Sequence, residues 1–397
     1  MTPSARRRFI VMLGLISALG PLSIDLYLPS LPAIGAALDA DMGAVQMTVS
    51  AYFIGLALGQ LVYGPITDRF GRRPPLIFGL MLYSLSSLGC VLASSIEMLV
   101  VMRLLQALGG CAGAVVCRAL VRDHFSGNEM ARVLSALVLV MGVAPILAPT
   151  LGGNMQQWFG WHSNFMLMLG FGLAGLAIAV FGVRESGRAL AAPLSGRGIA
   201  RDYRRILSHR RFMGYALAGS CVQAGMFAYI TASPFVFIDH FGLAPDTFGM
   251  LFGANAAGLI LASQLNQRAL RHLRAEKLLR AALGAYLVAA LVMMVCAISG
   301  WGGIWGIALP LLVCLTSLGF TFPNSQAAAM EPFATHAGMA SAMLGTLQFL
   351  LAGLASVVVA RLHSGGVVTM AVAILIWALL AQLALRTLVK PPALAVG

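Results

Sequence analysis

Apolar runs of roughly 20 residues, each bounded by charged or turn-rich breaks, recur twelve times along this chain. They fall at roughly 9–31, 44–66, 75–95, 97–119, 132–153, 163–183, 212–236, 247–267, 279–299, 303–326, 337–361 and 367–388. A helix needs about 20 apolar residues to cross a bilayer. Two of these runs nearly merge, at Gly300 to Gly303. The composition excludes a water-soluble class: 10% of the 397 residues are charged and the mean hydropathy is +0.89, where a soluble domain carries about 25% charged residues. The 44 glycines suit membrane helices, whose backbones approach closely over small side chains. The expected fold class is an all-α membrane protein with twelve transmembrane helices.

Charge placement tests that count independently. With the N-terminus cytoplasmic, the 26 basic residues fall at the inner ends of spans, all but Arg103 and Arg361. A wrong span count would scramble this alternation downstream of the error. Both termini are therefore expected inside. The same pattern accounts for the net charge of +13 without nucleic acid as a partner. Arg6, Arg7 and Arg8 precede a run too long for a usual signal-peptide core, so it reads as the first span. The longest inner connection, 184–211, carries Pro193, Ser195, Gly196 and Gly198 and then arginines. It divides the chain into bundles of six helices, 1–183 and 212–397. Within it Ile199, Tyr203, Ile206 and Leu207 share a helical face, fitting either a helix on an anionic leaflet or a solvated linker.

Absences narrow the function further. The six cysteines lie in apolar runs without metal or redox spacing, so neither a metal nor a cofactor is expected. No phosphate loop of the form G-x-x-x-x-G-K-[ST] occurs, and no H-E-x-x-H or G-x-S-x-G stretch. The chain does not read as an enzyme, and ATP-driven work would need a separate subunit.

Among the acidic residues, Asp25 alone lies well inside a span. A charge at such depth costs roughly 2.5–3.5 kcal/mol on insertion scales and normally faces a cavity with a job to do; the plainer reading is a neutral carboxyl holding helices together. Gly14, Ala18, Pro21, Asp25 and Pro29 recur at helical spacing, with Pro21 and Pro29 placed to kink the helix. Arg103 is the basic residue inside a span. Asp25 and Arg103 each sit about six residues, or about 9 Å, from an outer helix end. A direct or water-mediated pair between them is expected, with snorkelling of Arg103 to the surface as the alternative. Gln106, Gly110 and Gly113 follow Arg103 on a similar face. In the fifth span, Gly142, Pro145, Pro149, Gly152 and Gly153 fit a hinge or gate, or tight packing. Tyr27, Tyr52, Gln60, Gln106, Gln223, Phe227, Tyr229, Phe235, Asn255 and Asn324 are candidates to line a substrate cavity, each also explicable as a helix–helix contact.

The inner loop after the second span reads Gly64-Pro65-Ile66-Thr67-Asp68-Arg69-Phe70-Gly71-Arg72-Arg73. A turn so charged cannot lie in hydrocarbon. It resembles the G-x-x-x-D-R-x-G-R-R/K loop of the major facilitator superfamily. Arg103, Leu104, Gln106 and Gly109 resemble the span-four motif of its drug:proton antiporters, with Ala107 where many relatives have glycine; Pro145 to Gly153 resembles their span-five motif. Gly20 to Pro29, Arg122-Asp123 and Ser233 to Val236 are similar to the Bcr/CflA branch of bicyclomycin and chloramphenicol exporters. The resemblance implies two six-helix bundles around a central cavity, and proton-coupled efflux of small drug-like compounds across a bacterial inner membrane. The expected mechanism has Asp25 and Arg103 coupling protons, with Gly64, Asp68, Arg69, Gly71, Arg72 and Arg73 in a cytoplasmic gate, in a chain expected to work as a monomer. Alternatives are an exporter of an amino acid such as cysteine or another metabolite and, more remotely, a non-transporting receptor or scaffold.

Overall fold

The computed structural model describes residues 3–125, 133, 147–183, 185, 196–361 and 366–389. Among them there is no strand, and eleven helices are long and apolar enough to cross a membrane. Lipid cannot hydrogen-bond a bare backbone, so each span must satisfy its own N–H and C=O groups. Eleven of the twelve expected spans have a counterpart. The fifth, 132–153, lies mostly outside the described residues; only its last part is seen, in a helix over 147–159.

In chain order the helices are α1 (Pro3–Asp25), α2 (Leu31–Ala37), α3 (Met42–Phe70), α4 (Arg73–Val91), α5 (Ile96–His124), α6 (147–159) and α7 (His162–Phe181). A short α8 (Gly196–Leu207) precedes α9 (Arg210–Pro234), α10 (Pro245–Ala269), α11 (Ala275–Ser299), α12 (Gly303–Met330), α13 (Ala337–Arg361) and α14 (Val367–Leu388). Gly300 and Gly302, both left-handed, separate α11 from α12, so the two runs that nearly merge in sequence are distinct helices.

The first span departs from expectation. Rather than kinking, its helix stops at Asp25, and a 3-10 turn (Leu28–Ser30) leads into α2. Pro29 has no N–H to offer the Asp25 carbonyl four residues back, and its ring would clash with that carbonyl. A similar event ends α9. Pro234 leaves the Ile230 carbonyl without its helical donor, Ser233 Oγ donates to it at 3.3 Å, and the chain continues as a π-helix (Phe235–His240). Such π segments recur at functional sites.

Helices α1, α3, α4, α5 and α7 pack on one another, and so do α9, α10, α11, α12 and α14, while α13 packs against both α3 and α9. Outward-facing Phe78, Leu85, Phe181, Val295 and Leu383 are exposed, as lipid contact requires. Trp158, Trp301 and Trp305 are also exposed, at helix ends opposite the N-terminus, the position of an interfacial aromatic belt. On α8, Ile206 is buried while Arg201, Arg204 and Arg205 face outward.

Candidate functional site

Arg103 lies in mid-bundle and is fully buried. Its Nη2 donates to the Ser23 carbonyl at 2.8 Å and its Nη1 to Gln106 Oε1. The guanidinium carbon sits 4.2 Å from the ring centroids of both Tyr27 and Tyr52, and 5.9 Å from that of Phe165. The acceptors are held in turn: Gln106 Nε2 donates to Ser87 Oγ at 2.7 Å, and the Ser23 and Tyr83 hydroxyls share a hydrogen bond of 2.6 Å. Because α1 stops at Asp25, the Ser23 carbonyl is one of the orphan acceptors of a helix C-terminus, where partial negative charge collects. Arg103 thus caps α1, with aromatic faces in place of a carboxylate.

This differs from the pairing expected from sequence. Among the described residues Asp25 has no hydrogen bond or ion pair, to Arg103 or to any other group, although it is 4% exposed. Tyr27 and Tyr52 lie against the Arg103 guanidinium, and Tyr83 bonds the Ser23 hydroxyl beside it. Asp25 and Arg103, expected at similar depth, therefore do not pair. Arg103 faces the α1–α5–α7 network.

Helix α6 closes the end of the molecule near Asp25. A Cβ built on Gly152 falls on the Leu26 carbonyl oxygen, and one on Gly153 lies 2.9 Å from the Pro245 carbonyl oxygen. Gly249 of α10 meets the Pro149–Thr150 backbone at similar range. Asn164 of α7 donates to Ser30 Oγ at 2.8 Å and to the Gly152 carbonyl at 3.2 Å, tying these segments together. Gly142 and Pro145 lie outside the described residues.

At the opposite end, the charged loop is organised by an acid distant in sequence. Glu185 accepts the backbone N–H groups of Arg72 (2.7 Å) and Arg73 (3.1 Å), capping α4. Gly71 permits this: its φ is +83°, and any Cβ would lie 2.7 Å from the Glu185 carboxylate. Arg72 Nε donates to Asp123 Oδ2 at 2.9 Å, joining the loop to the end of α5, and Arg73 Nη2 reaches the Val180 carbonyl at 2.7 Å. Arg69 lies over Phe70, with 5.3 Å from the guanidinium carbon to the ring centroid. The Asp68 side chain is outside the described residues, and nothing crowds Gly64. A carboxylate at a helix N-terminus contributes about 0.3–1 kcal/mol. Glu185→Gln is accordingly expected to lower stability by about 1 kcal/mol, read as a small fall in unfolding temperature in detergent.

Comparison with known proteins decides the family: the model described as Major Facilitator Superfamily matches residues 13–357. The chain belongs to that superfamily. A curated relative, the uncharacterized MFS-type transporter YdgK of Bacillus subtilis, is 34% identical, the match covering 89% of each chain. The bicyclomycin resistance protein homolog of Haemophilus influenzae is 32% identical over 89% of each, and multidrug resistance protein D of Escherichia coli 28% identical over 90% of this chain and 89% of its own. The solved D-xylose-proton symporter superposes with a TM-score of 0.75 at 13% identity, covering 96% of this chain and 97% of that one. This chain therefore has the major facilitator fold and is a multi-pass membrane transporter of the Bcr/CflA drug-transporter type, not an enzyme.

The candidates to line a substrate cavity divide in this structure. Phe53 and Phe227 meet across the two helix groups with centroids 4.2 Å apart, and Phe349 lies 6.2 Å from Phe227. Gln223 Oε1 and the Tyr52 hydroxyl are buried without partners in this conformation. Gln60 accepts from Arg118 at 3.3 Å, and Phe235 is buried in the π-helix. Tyr27 and Gln106 are committed to Arg103. Asn324 is a helix–helix contact: its amide and that of Asn266 donate to each other's oxygens at 2.8 and 3.5 Å. Sequence reasoning missed Ser23, Glu185 and Asp123 as partners. A carbonyl has no letter of its own, and the two acids looked like ordinary loop charges.

Proposed function

We propose that this transporter exports small, mostly apolar drug-like compounds in exchange for protons, by alternating access. Asp25 is the proton carrier, and the chain works as a monomer in a bacterial inner membrane with both termini cytoplasmic. The observation that carries this reading is the division of labour in the buried site. Arg103 is fixed by uncharged partners, so Asp25, buried and unpaired, can gain or lose a proton without breaking the arginine network. Relatives named for bicyclomycin and multidrug resistance support the substrate class. Few charges line the region beyond Asp25 and Arg103, which disfavours an amino-acid exporter.

Packing supports a division into bundles 1–183 and 212–397 joined by 184–211. The closed end, where Leu28–Ser30 packs on α9 and α10 and Gln46 Nε2 reaches the Thr231 carbonyl at 3.5 Å, is on this reading the outer one. The loop at Gly64–Arg73 belongs to the inner gate. One proton crossing about 100 mV supplies roughly 2.3 kcal/mol, a gradient of about 50-fold for a neutral substrate. In a strain lacking its own pumps, expression is expected to raise resistance to chloramphenicol or a comparable compound, and Asp25→Asn to abolish the gain while leaving membrane protein levels unchanged. Resistance undiminished by Asp25→Asn would remove Asp25 from the mechanism.

A further inference from the structure

Two buried polar atoms on α9, one turn apart, have no partner in the protein. Gln223 Oε1 and Ser220 Oγ are shielded from solvent, and neither has a hydrogen bond among the described residues. Buried polar atoms are nearly always paired, because one left unpaired loses its water and gains nothing in return. The neighbouring groups follow that rule. Asn255 donates to the Tyr229 phenol oxygen at 3.2 Å, and Thr231 shares a bond of 2.7 Å with Ser356. Other buried helical hydroxyls spend their proton on the carbonyl one turn back: Ser84 on Leu80, Ser87 on Tyr83, Thr321 on Ser317, at 2.7–2.9 Å. Ser220 does not.

Register along α9 fixes where the pair lies. At 3.6 residues per turn, positions four apart advance by about 40° around the helix. Thr231 meets Ser356 of α13, and Phe227 meets Phe53 of α3 and Phe349 of α13, while a Cβ on Gly219 would fall on Ser325 of α12. Gln223 comes between the last two. It is therefore placed between the α3–α13 contact and α12, one turn from the rings toward the N-terminal end of α9. Ser220 follows on the same side. Three aromatic rings drawn from both helix groups thus adjoin an amide oxygen and a hydroxyl that the protein leaves unused. An apolar surface with a few convergent polar groups is the usual make-up of a small-molecule site.

We infer that Gln223 and Ser220 are the polar anchor of the substrate site, taking an aromatic compound that carries an N–H or O–H donor. Gln223 Oε1 accepts from that donor, Ser220 Oγ is the second partner beside it, and the compound's ring packs on Phe227 and Phe349. This rests on the reading of the chain as an exporter of drug-like compounds. The pair makes the site selective, since buried groups left unpaired reject an analogue without the matching donor.

The test is calorimetric binding to the purified full chain in detergent. One probe is chloramphenicol, a nitrophenyl ring with N–H and O–H donors. The other is its permethylated derivative, which keeps the ring and has no donor. The wild-type chain is expected to bind chloramphenicol at least tenfold more tightly than the derivative. Gln223→Met, similar in shape, is expected to cut that preference at least threefold by weakening chloramphenicol alone, and Ser220→Ala to act the same way by less. Phe227→Ala is expected to weaken both probes alike. Neither polar atom has a partner to lose, so Gln223→Met and Ser220→Ala are expected to leave the unfolding temperature unchanged or raised. A preference that survives in Gln223→Met, equal wild-type affinity for the two probes, or a lower unfolding temperature in both variants overturns the anchor and leaves export standing. A wild-type chain that binds neither probe overturns the anchor, and if expression also brings no resistance, export falls with it.

Discussion

Arg103→Lys is expected to fail nearly as completely as Arg103→Ala, in stability and in transport. The guanidinium does three things at once: it donates to a helix-end carbonyl, donates to Gln106, and fills the space between two tyrosine faces. A lysine ammonium keeps the charge but not the planar fork, and it cannot stack. At this depth it reaches the Ser23 carbonyl or the Gln106 amide, not both with both rings. Hydrogen bonds to charged groups contribute about 1.5–3 kcal/mol each, and a desolvated cation–π contact about 2 kcal/mol. Losing one bond and part of the stacking therefore costs about 2–4 kcal/mol. That is a clear fall in unfolding temperature and at least a tenfold loss of transport rate. If Arg103 were held chiefly by a carboxylate, as a point charge, lysine would keep most of the function. The comparison of lysine with alanine thus separates the two accounts, by thermal unfolding in detergent and transport in vesicles.

Gly152→Ala is expected to abolish transport through a different cause, preventing closure of the end near Asp25. The added methyl falls on the Leu26 carbonyl oxygen, and backbone cannot turn aside as a flexible side chain would. Overpacking of this kind costs about 1–3 kcal/mol, occasionally more. Each 1.4 kcal/mol shifts an equilibrium tenfold, so the closed state loses about 5- to 150-fold against the open one. Gly153→Ala presses less tightly, on the Pro245 carbonyl at 2.9 Å, and its effect is expected to be smaller. Spin labels at Ala37→Cys and Ala244→Cys, two exposed positions at this end, read this directly in lipid vesicles as longer label-to-label distances in Gly152→Ala than in the wild-type background. Wild-type distances in that variant would show that α6 does not set the closed state.

Much of this was legible in the chain, for reasons that particular residues make plain. Spans are readable because lipid leaves a helix no choice, and the left-handed glycines at 300 and 302 separate two runs that composition nearly merges. Pro29 announced a disturbance in the first helix. Only the structure shows that it ends the helix at Asp25 and thereby frees the Ser23 carbonyl for Arg103. Opposite charges at equal depth invited the pairing of Asp25 with Arg103. Depth is a single coordinate, however, and the arginine finds the Ser23 carbonyl, Gln106 and two tyrosine faces instead. Glu185 is hidden for a related reason: it serves α4 from 112 residues away through backbone N–H groups, a contact no local spacing records. Asn324 could be read from sequence as cavity lining or as a helix–helix contact, and in the structure it bonds to Asn266.

The central claim is that protons drive export through Asp25 while Arg103 stays fixed. The measurement that reaches it most directly uses the purified chain in sealed vesicles carrying an imposed pH gradient, with uptake of radiolabelled chloramphenicol or a fluorescent dye cation. The account predicts accumulation that follows the gradient and collapses with it in the wild-type chain. In Asp25→Asn it predicts none, although exchange of labelled for unlabelled compound continues. Accumulation in Asp25→Asn that still follows the pH gradient would contradict it.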